Sequence, residues 1–144
     1  MGEEENIQLL KQAAAKGDAR AQFDLAKHYE DGDGVEQNID EAVKLYHKAA
    51  KGGEVDAAYN LGVMYYNGQG VEKDDRLAMK WYQKAAVQGD AEAQFQLGLI
   101  NYEHNNVENA LLWYRKAAEK GHATAQYMLA VILEDLVGTP ISCQ

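Results

Sequence analysis

The sequence predicts an all-α repeat array of antiparallel helix pairs, and three observations carry that prediction. A glycine closes each copy of a recurring two-helix pattern, at Gly17, Gly53, Gly89 and Gly121, so the spacings are 36, 36 and 32 residues. A period in this range marks stacked helical units, each burying its apolar faces on its neighbours. Val, Ile and Thr are few, and Pro140 is the single proline, so long helical runs are uninterrupted and strands are disfavoured. Much of the 47% hydrophobic fraction is alanine, which lets helices approach closely.

Taken in order, the chain opens with the second helix of a unit, over residues 4–16. Aligning the closing glycines sets Leu10 against Tyr46 and Ala13 against Ala49. The first full unit has helix A over 18–30, the loop DGDGVEQ, and helix B over 39–51. Asn38, with Glu41 three residues on, is its predicted N-cap. The second has helix A over 55–67, the turn Gly68-Gln69-Gly70-Val71, Asp74 as N-cap, and helix B over 75–87. The third has helix A over 91–103 and helix B over 107–119, capped by Asn106, with a turn four residues shorter. A last helix A, over 123–135, stops before Gly138, Thr139 and Pro140. This makes about eight helices in one array over 1–136, with units 4–17 (half), 18–53, 54–89, 90–121 and 122–136 (half), followed by a tail at 137–144.

Helical geometry puts Ala21, Leu25 and Tyr29 on one stripe of helix A, repeated as Ala57, Leu61, Tyr65 and as Ala93, Leu97. The small residue after each Leu, as Ala26, Gly62, Gly98 and Ala130, marks a close helix approach. Helix B carries Ala42, Leu45, Tyr46, Ala49 and Ala50, matched by Ala78, Trp81, Tyr82, Ala85, Ala86 and by Ala110, Trp113, Tyr114, Ala117, Ala118. Burying one such aromatic contributes about 2 to 3 kcal/mol.

These residues carry a family resemblance. The run A-x-x-x-L-G-x-x-Y-x-x-G-x-G-V followed by A-x-x-W-Y-x-K-A-A-x-x-G resembles the Sel1-like repeat, a relative of the tetratricopeptide repeat with a longer turn. Ala57, Leu61, Gly62, Tyr65, Gly68, Gly70, Val71, Ala78, Trp81, Tyr82, Lys84, Ala85, Ala86 and Gly89 all match. The first unit departs with Ala26 for the glycine and Leu45 for the tryptophan. The third has Asn101 at the tyrosine position and the shortened turn, closer to a tetratricopeptide unit. The resemblance covers residues 6–135. It implies a right-handed α/α superhelical solenoid, with A helices on the concave side, acting as an adaptor or scaffold. Some relatives are secreted and carry a disulfide in each repeat; with Cys143 alone, this chain departs from that subgroup.

Helix A is apolar on a second face, opposite the core stripe. That face carries Phe23 in the first unit, Tyr59, Val63 and Tyr66 in the second, Phe95, Leu99 and Tyr102 in the third, and Tyr127 and Val131 in the fourth. On one reading Phe23, Tyr59, Phe95 and Tyr127 pack between successive A helices. On the other the face forms a groove, with Val63, Tyr66, Asn67, Leu99, Tyr102 and Glu103 as its floor. The expected partner-binding residues are Tyr59, Val63, Tyr66, Asn67, Phe95, Leu99, Tyr102 and Glu103, since tyrosine offers an apolar body and a hydrogen-bonding tip. The alternative is a structural module associating through its ends or its convex face, where Val87 and Leu112 are the apolar points.

A formal charge of −9 argues against nucleic acid, whose phosphates need Lys and Arg. Asp24, Glu30, Asp31, Asp56, Glu92, Glu103, Glu134 and Asp135 lie on or beside A helices, while Lys44, Lys48, Lys80, Lys84, Arg115 and Lys116 lie on B helices. The expected ligand is therefore a protein or peptide of basic or mixed apolar character. No catalytic, metal or cofactor constellation emerges. The loop at Asp31 has Glu36 and Ala42 where a calcium loop needs glycine and a carboxylate. His28, His47, His104 and His122 are scattered, and Gly-x-Gly-Val follows a helix rather than a strand. The expectation is a non-enzyme without cofactor. No stretch reaches the roughly 20 apolar residues of a membrane span, and MGEEENIQLL lacks a signal-peptide pattern. A cytoplasmic chain fits, and an exported one fits if a leader has been removed. A monomer is expected, its last helix capped by Leu136, Val137 and Ile141; the alternative pairs the final A helix with the first B helix of another molecule.

Overall fold

The computed structural model describes residues 2–138. Among the described residues there are eight helices and no strand: α1 (Glu3–Ala15), α2 (Ala19–Asp31), α3 (Ile39–Lys51), α4 (Val55–Asn67), α5 (Asp75–Ala86), α6 (Ala91–Glu103), α7 (Val107–Glu119) and α8 (Ala123–Val137). Two compact units result, Met1–Lys84 and Ala85–Gln144, with all but the last two residues of α5 in the first.

In the first unit the turns from B to A helices share one construction. The amides of Asp18 and Glu54 donate to the carbonyls of Ala13 and Ala49, at 3.1 and 3.0 Å, over glycines held at φ +96°. This is the Schellman closure, which needs a left-handed residue. Asp18 then caps α2 by accepting from the Ala21 amide at 3.0 Å. The longer turns after α2 and α4 bring the amides of Asn38 and Asp74 back to the carbonyls of Tyr29 and Tyr65, both at 2.9 Å. Asn38 caps the Glu41 amide, and Asp74 caps those of Arg76 and Leu77, as the sequence predicts.

The core of this unit alternates ring and small residue. Tyr46 and Tyr82 are fully enclosed, tilted against Phe23 at 5.8 Å and Tyr59 at 5.5 Å. A methyl placed on Gly62 would lie 2.6 Å from the Tyr82 ring, so glycine sets how closely α4 and α5 approach. The Tyr46 hydroxyl donates to Glu30 Oε1 at 2.6 Å. His47 meets the Tyr65 hydroxyl at 3.2 Å and the edge of Trp81 at 5.2 Å, while the ammonium of Lys84 lies 4.8 Å from the Trp81 ring centre. Burial holds His47 below the usual histidine range, with Lys51 and Lys80 adding repulsion of a second proton.

In the second unit the amides of Asp90 and His122 close the same turn onto Ala85 and Ala117. Asp90 caps α6, and His122 Nδ1 accepts from the Ala125 amide to cap α8. The short turn after α6 uses this closure too: Asn105 takes φ +63° and the Asn106 amide donates to the Asn101 carbonyl at 2.8 Å. Asn106 makes no side-chain cap, contrary to expectation, because its backbone, at φ −94° and ψ +73°, is not in the extended conformation of a cap residue. The core gathers Ala110, Tyr114, Ala117, Ala125 and Ile132, with Phe95, Val107, Leu111, Met128 and Leu129 against it. Tyr114 repeats the ring arrangement, tilted on Phe95 at 5.7 Å and close over Gly98. Asn101, at the tyrosine position, is buried and donates to the Leu97 carbonyl at 2.8 Å.

A glutamine ties the B helix to the next A helix at three of the four B-to-A turns; at the α3–α4 turn its place is taken by Ala58. Gln22 donates to the Ala14 carbonyl in the first unit; Gln94 and Gln126 donate to Ala86 and Ala118 in the second, all at 3.1 Å. Each bond brings a second donor to a helix-end carbonyl that already accepts from the amide of the turn glycine, Gly17, Gly89 or Gly121. The final helix runs on to Val137, so Leu136 and Val137 belong to α8 and stay exposed rather than folding back over it. Helical propagation outweighs the expected fold-back until Gly138, at φ +68°. Thr139, Pro140, Ile141 and Cys143 lie outside the described residues.

Candidate partner-binding faces

On α4 the four expected residues fall along one flank. Tyr59, three residues before Gly62, is half-buried with its ring on Tyr82, the B-helix tyrosine of its own pair. Val63 and Tyr66 are half-buried and Asn67 is exposed. The last turn is steadied from the loop: Lys73 Nζ donates to the Tyr66 carbonyl at 2.7 Å and lies 4.5 Å from the centre of its ring. That ammonium also pairs with Asp75 at 2.8 Å.

On α6 the same register places Phe95, Leu99, Tyr102 and Glu103. Phe95 packs on Tyr114 and stacks flat on His122, at 4.6 Å and 16° between planes. His122 accepts a backbone proton on Nδ1 and therefore carries its own on Nε2, which it donates to Glu92 at 2.8 Å. Leu99 is half-buried, Glu103 exposed, and Tyr102 is 36% exposed. Beneath this flank the Tyr114 hydroxyl is buried with no hydrogen-bond partner among the described residues. Burial, then Glu103 and Tyr102, pushes its pKa up to about 12.

The two readings of the second apolar face thus divide by helical turn. Phe23, Tyr59 and Phe95 are core-side residues whose rings lie on the tyrosine of their own B helix, and Phe95 also stacks on His122 at the start of the next A helix. Tyr127 has no such cover and is 68% exposed. One turn on, Val63, Tyr66 and Leu99 are half-buried and Asn67, Tyr102 and Glu103 are exposed. The acidic residues are more engaged than charge counting implies. Arg20 pairs with Glu54 and Asp56 at 3.1 Å and with Asp24 at 3.5 Å, and Glu30 accepts from Tyr46 and Gln69. No helix among the described residues is long and apolar enough to cross a membrane. No group of three or more His, Cys, Asp or Glu among them is placed to hold a metal ion.

Paired helices of this length, with a recurring turn construction, define an all-α repeat protein of the tetratricopeptide-like class. Within it, the Sel1 repeat model matches residues 7–18, 19–54 and 55–90, and a model of plant tetratrico peptide repeats matches 78–135. The chain belongs to the Sel1 repeat family, whose members are typically non-catalytic modules for protein–protein interaction. Among solved structures it is similar to a Sel1 repeat protein from Oxalobacter formigenes, at 42% identity and TM-score 0.78, over 87% of this chain and 97% of that one. It is also similar to c5321, a protective antigen of uropathogenic Escherichia coli with an SLR fold. The identity is 37% and the TM-score 0.78, over 83% of this chain but 27% of that one. Helicobacter pylori cysteine rich protein B matches at 28% identity and TM-score 0.62, over 65% and 70%. A search of the curated proteins gives no match.

Sequence periodicity missed the glutamine ties, the contact of Tyr46 with Glu30 and the packing of His47 on Trp81. The glutamines leave a signal, since Gln22, Gln94 and Gln126 occupy one register position; the other two contacts do not.

Proposed function

We propose that this chain is a non-catalytic adaptor that binds a partner protein or peptide on the exposed flanks of its A helices. Val63, Tyr66 and Asn67 form the contact on α4, and Leu99, Tyr102 and Glu103 that on α6, with the half-buried Tyr59 and Phe95 along their core side. The observation that carries the reading is the partial exposure of Tyr66 and Tyr102, in contrast to the enclosed B-helix tyrosines Tyr46, Tyr82 and Tyr114. An amphipathic ring held on a rigid helix loses little entropy on binding. Glu103 and the acidic fringe of the A helices favour a ligand of basic or mixed apolar character.

Selection from a displayed peptide library tests this. Basic and apolar peptides should be enriched by the wild-type chain and lost with Tyr66→Ala combined with Tyr102→Ala. Enrichment of acidic peptides would overturn the charge argument, and equal recovery by the double variant would overturn the surface. The second reading, association through other surfaces, is supported by the exposure of Val87 and Leu112 on the B-helix side. Under it, Val87→Asp with Leu112→Asp removes binding and the tyrosine pair does not.

A further inference from the structure

We propose that Lys73 is a positioning residue for the contact on α4, holding the Tyr66 ring in the orientation that a partner meets; this role rests on the reading of the A-helix flanks given above. The long turns of the first unit display how. Gln37 and Lys73 stand in corresponding places, each just before the N-cap of the following B helix, Asn38 or Asp74. Each reaches back seven residues to the carbonyl of the penultimate residue of helix A. Gln37 Nε2 donates to Glu30 at 2.8 Å, and Lys73 Nζ donates to Tyr66 at 2.7 Å. These carbonyls lie in the last helical turn, whose acceptors the helix itself does not satisfy. The approach is close in both turns. A methyl added to the cap glycine, Gly32 or Gly68, would lie 3.0 or 3.2 Å from the Cβ of Gln37 or Lys73.

The same bond steadies different side chains. In the first repeat the residue it holds is Glu30, whose carboxylate accepts from Tyr46. In the second the donor is an ammonium, which also lies 4.5 Å from the centre of the Tyr66 ring and pairs with Asp75 at 2.8 Å. Carbonyl, ring and carboxylate thus fix one cation at three points. An ammonium over an aromatic face is attracted by the ring quadrupole, so the rotamer that keeps the Tyr66 ring beside Lys73 is favoured. A contact side chain already held in one rotamer loses less freedom when a partner binds. Helix α6 supplies the contrast. Seven places after Tyr102 stands Asn109, inside α7, and the Tyr102 carbonyl accepts from the Asn105 amide at 3.1 Å instead. The shorter turn has no residue in the place of Lys73. Tyr66 is therefore set before a partner arrives, and Tyr102 lacks that clamp.

Two variants test the proposal on the full chain. Lys73→Gln keeps the bond to the Tyr66 carbonyl, as Gln37 shows glutamine can in this place, and removes the cation; Lys73→Arg restores a cation. Side-chain J couplings of Tyr66, measured by NMR, should report one χ1 rotamer in the wild type and in Lys73→Arg. In Lys73→Gln they should report averaging between rotamers, with the melting temperature and the amide-exchange protection of the last turn of α4 unchanged. The binding probe is a peptide enriched by the wild-type chain from a displayed library. Its affinity should fall about 2- to 5-fold in Lys73→Gln and recover in Lys73→Arg. A single Tyr66 rotamer in Lys73→Gln overturns the proposal. So does unchanged affinity for a peptide that Tyr66→Ala weakens, or a fall in affinity that Lys73→Arg does not rescue. A peptide indifferent to Tyr66→Ala overturns the α4 flank itself and leaves the rotamers to decide the clamp.

Discussion

A single hydroxyl distinguishes tyrosines that are otherwise equivalent. Tyr46 and Tyr114 hold the same place in their helix pairs, but Tyr46 donates to Glu30 at 2.6 Å, whereas Tyr102 stands where Glu30 would and leaves the Tyr114 hydroxyl without a partner among the described residues. Losing a made hydrogen bond and losing an orphaned buried group have opposite consequences. Tyr46→Phe should therefore lower unfolding stability by about 1 to 2 kcal/mol, while Tyr114→Phe should leave it unchanged or raise it by up to about 1 kcal/mol. Urea unfolding of the two variants checks the contrast, and equal losses would contradict it. Gly98 is constrained by approach rather than by conformation, since an added methyl would lie 2.6 Å from the Tyr114 ring. Gly98→Ala should cost about 1 to 3 kcal/mol in the same assay, despite alanine's better helix propensity. A stabilised variant would show that α6 and α7 part without penalty.

At the scale of elements, the short turn between α6 and α7 depends on Asn105 in a left-handed conformation, φ +63°. Asparagine tolerates this and glycine prefers it. Asn105→Gly should be neutral or stabilising by up to about 1 kcal/mol, and Asn105→Val destabilising by about 1 to 2 kcal/mol; thermal melts decide it. The contact among α3, α4 and α5 is pH-dependent through His47. Its folded pKa is lowered by burial and then by Lys51 and Lys80, so the unfolded chain binds the proton first as pH falls. The stability His47 contributes is full above its unfolded value near 6.5 and is lost as pH falls from there through the folded value. Denaturant midpoints should drop across that window for the wild type, and His47→Gln should flatten this part of the profile. An unchanged slope would locate the dependence elsewhere.

For the molecule as a whole, the helices were legible in the sequence because the period of glycines and the 3.6-residue stripe each report backbone geometry directly. The bounds of α3, α4, α6 and α7 match the expected ones residue for residue. What escaped were contacts that depend on side-chain reach: the glutamine ties, the His47 cluster, and the engagement of Arg20 with three acids. The extension of α8 through Leu136 and Val137 escaped as well, because Gly138 sets its end and apolar content alone does not distinguish a helix from a fold-back. For the binding faces, the sequence identified a second apolar side of helix A but could not say which residues its own B-helix tyrosines cover. With Tyr59 and Phe95 against Tyr82 and Tyr114, the proposed contacts are Val63, Tyr66 and Asn67 on α4 and Leu99, Tyr102 and Glu103 on α6. The most direct test is calorimetric titration of a library-selected basic, apolar peptide into the wild type and into Tyr66→Ala with Tyr102→Ala. Loss of two hot-spot rings should weaken binding by about 30-fold or more, with the melting temperature little changed. Equal affinity for both chains would contradict the assignment of partner binding to the A-helix flanks.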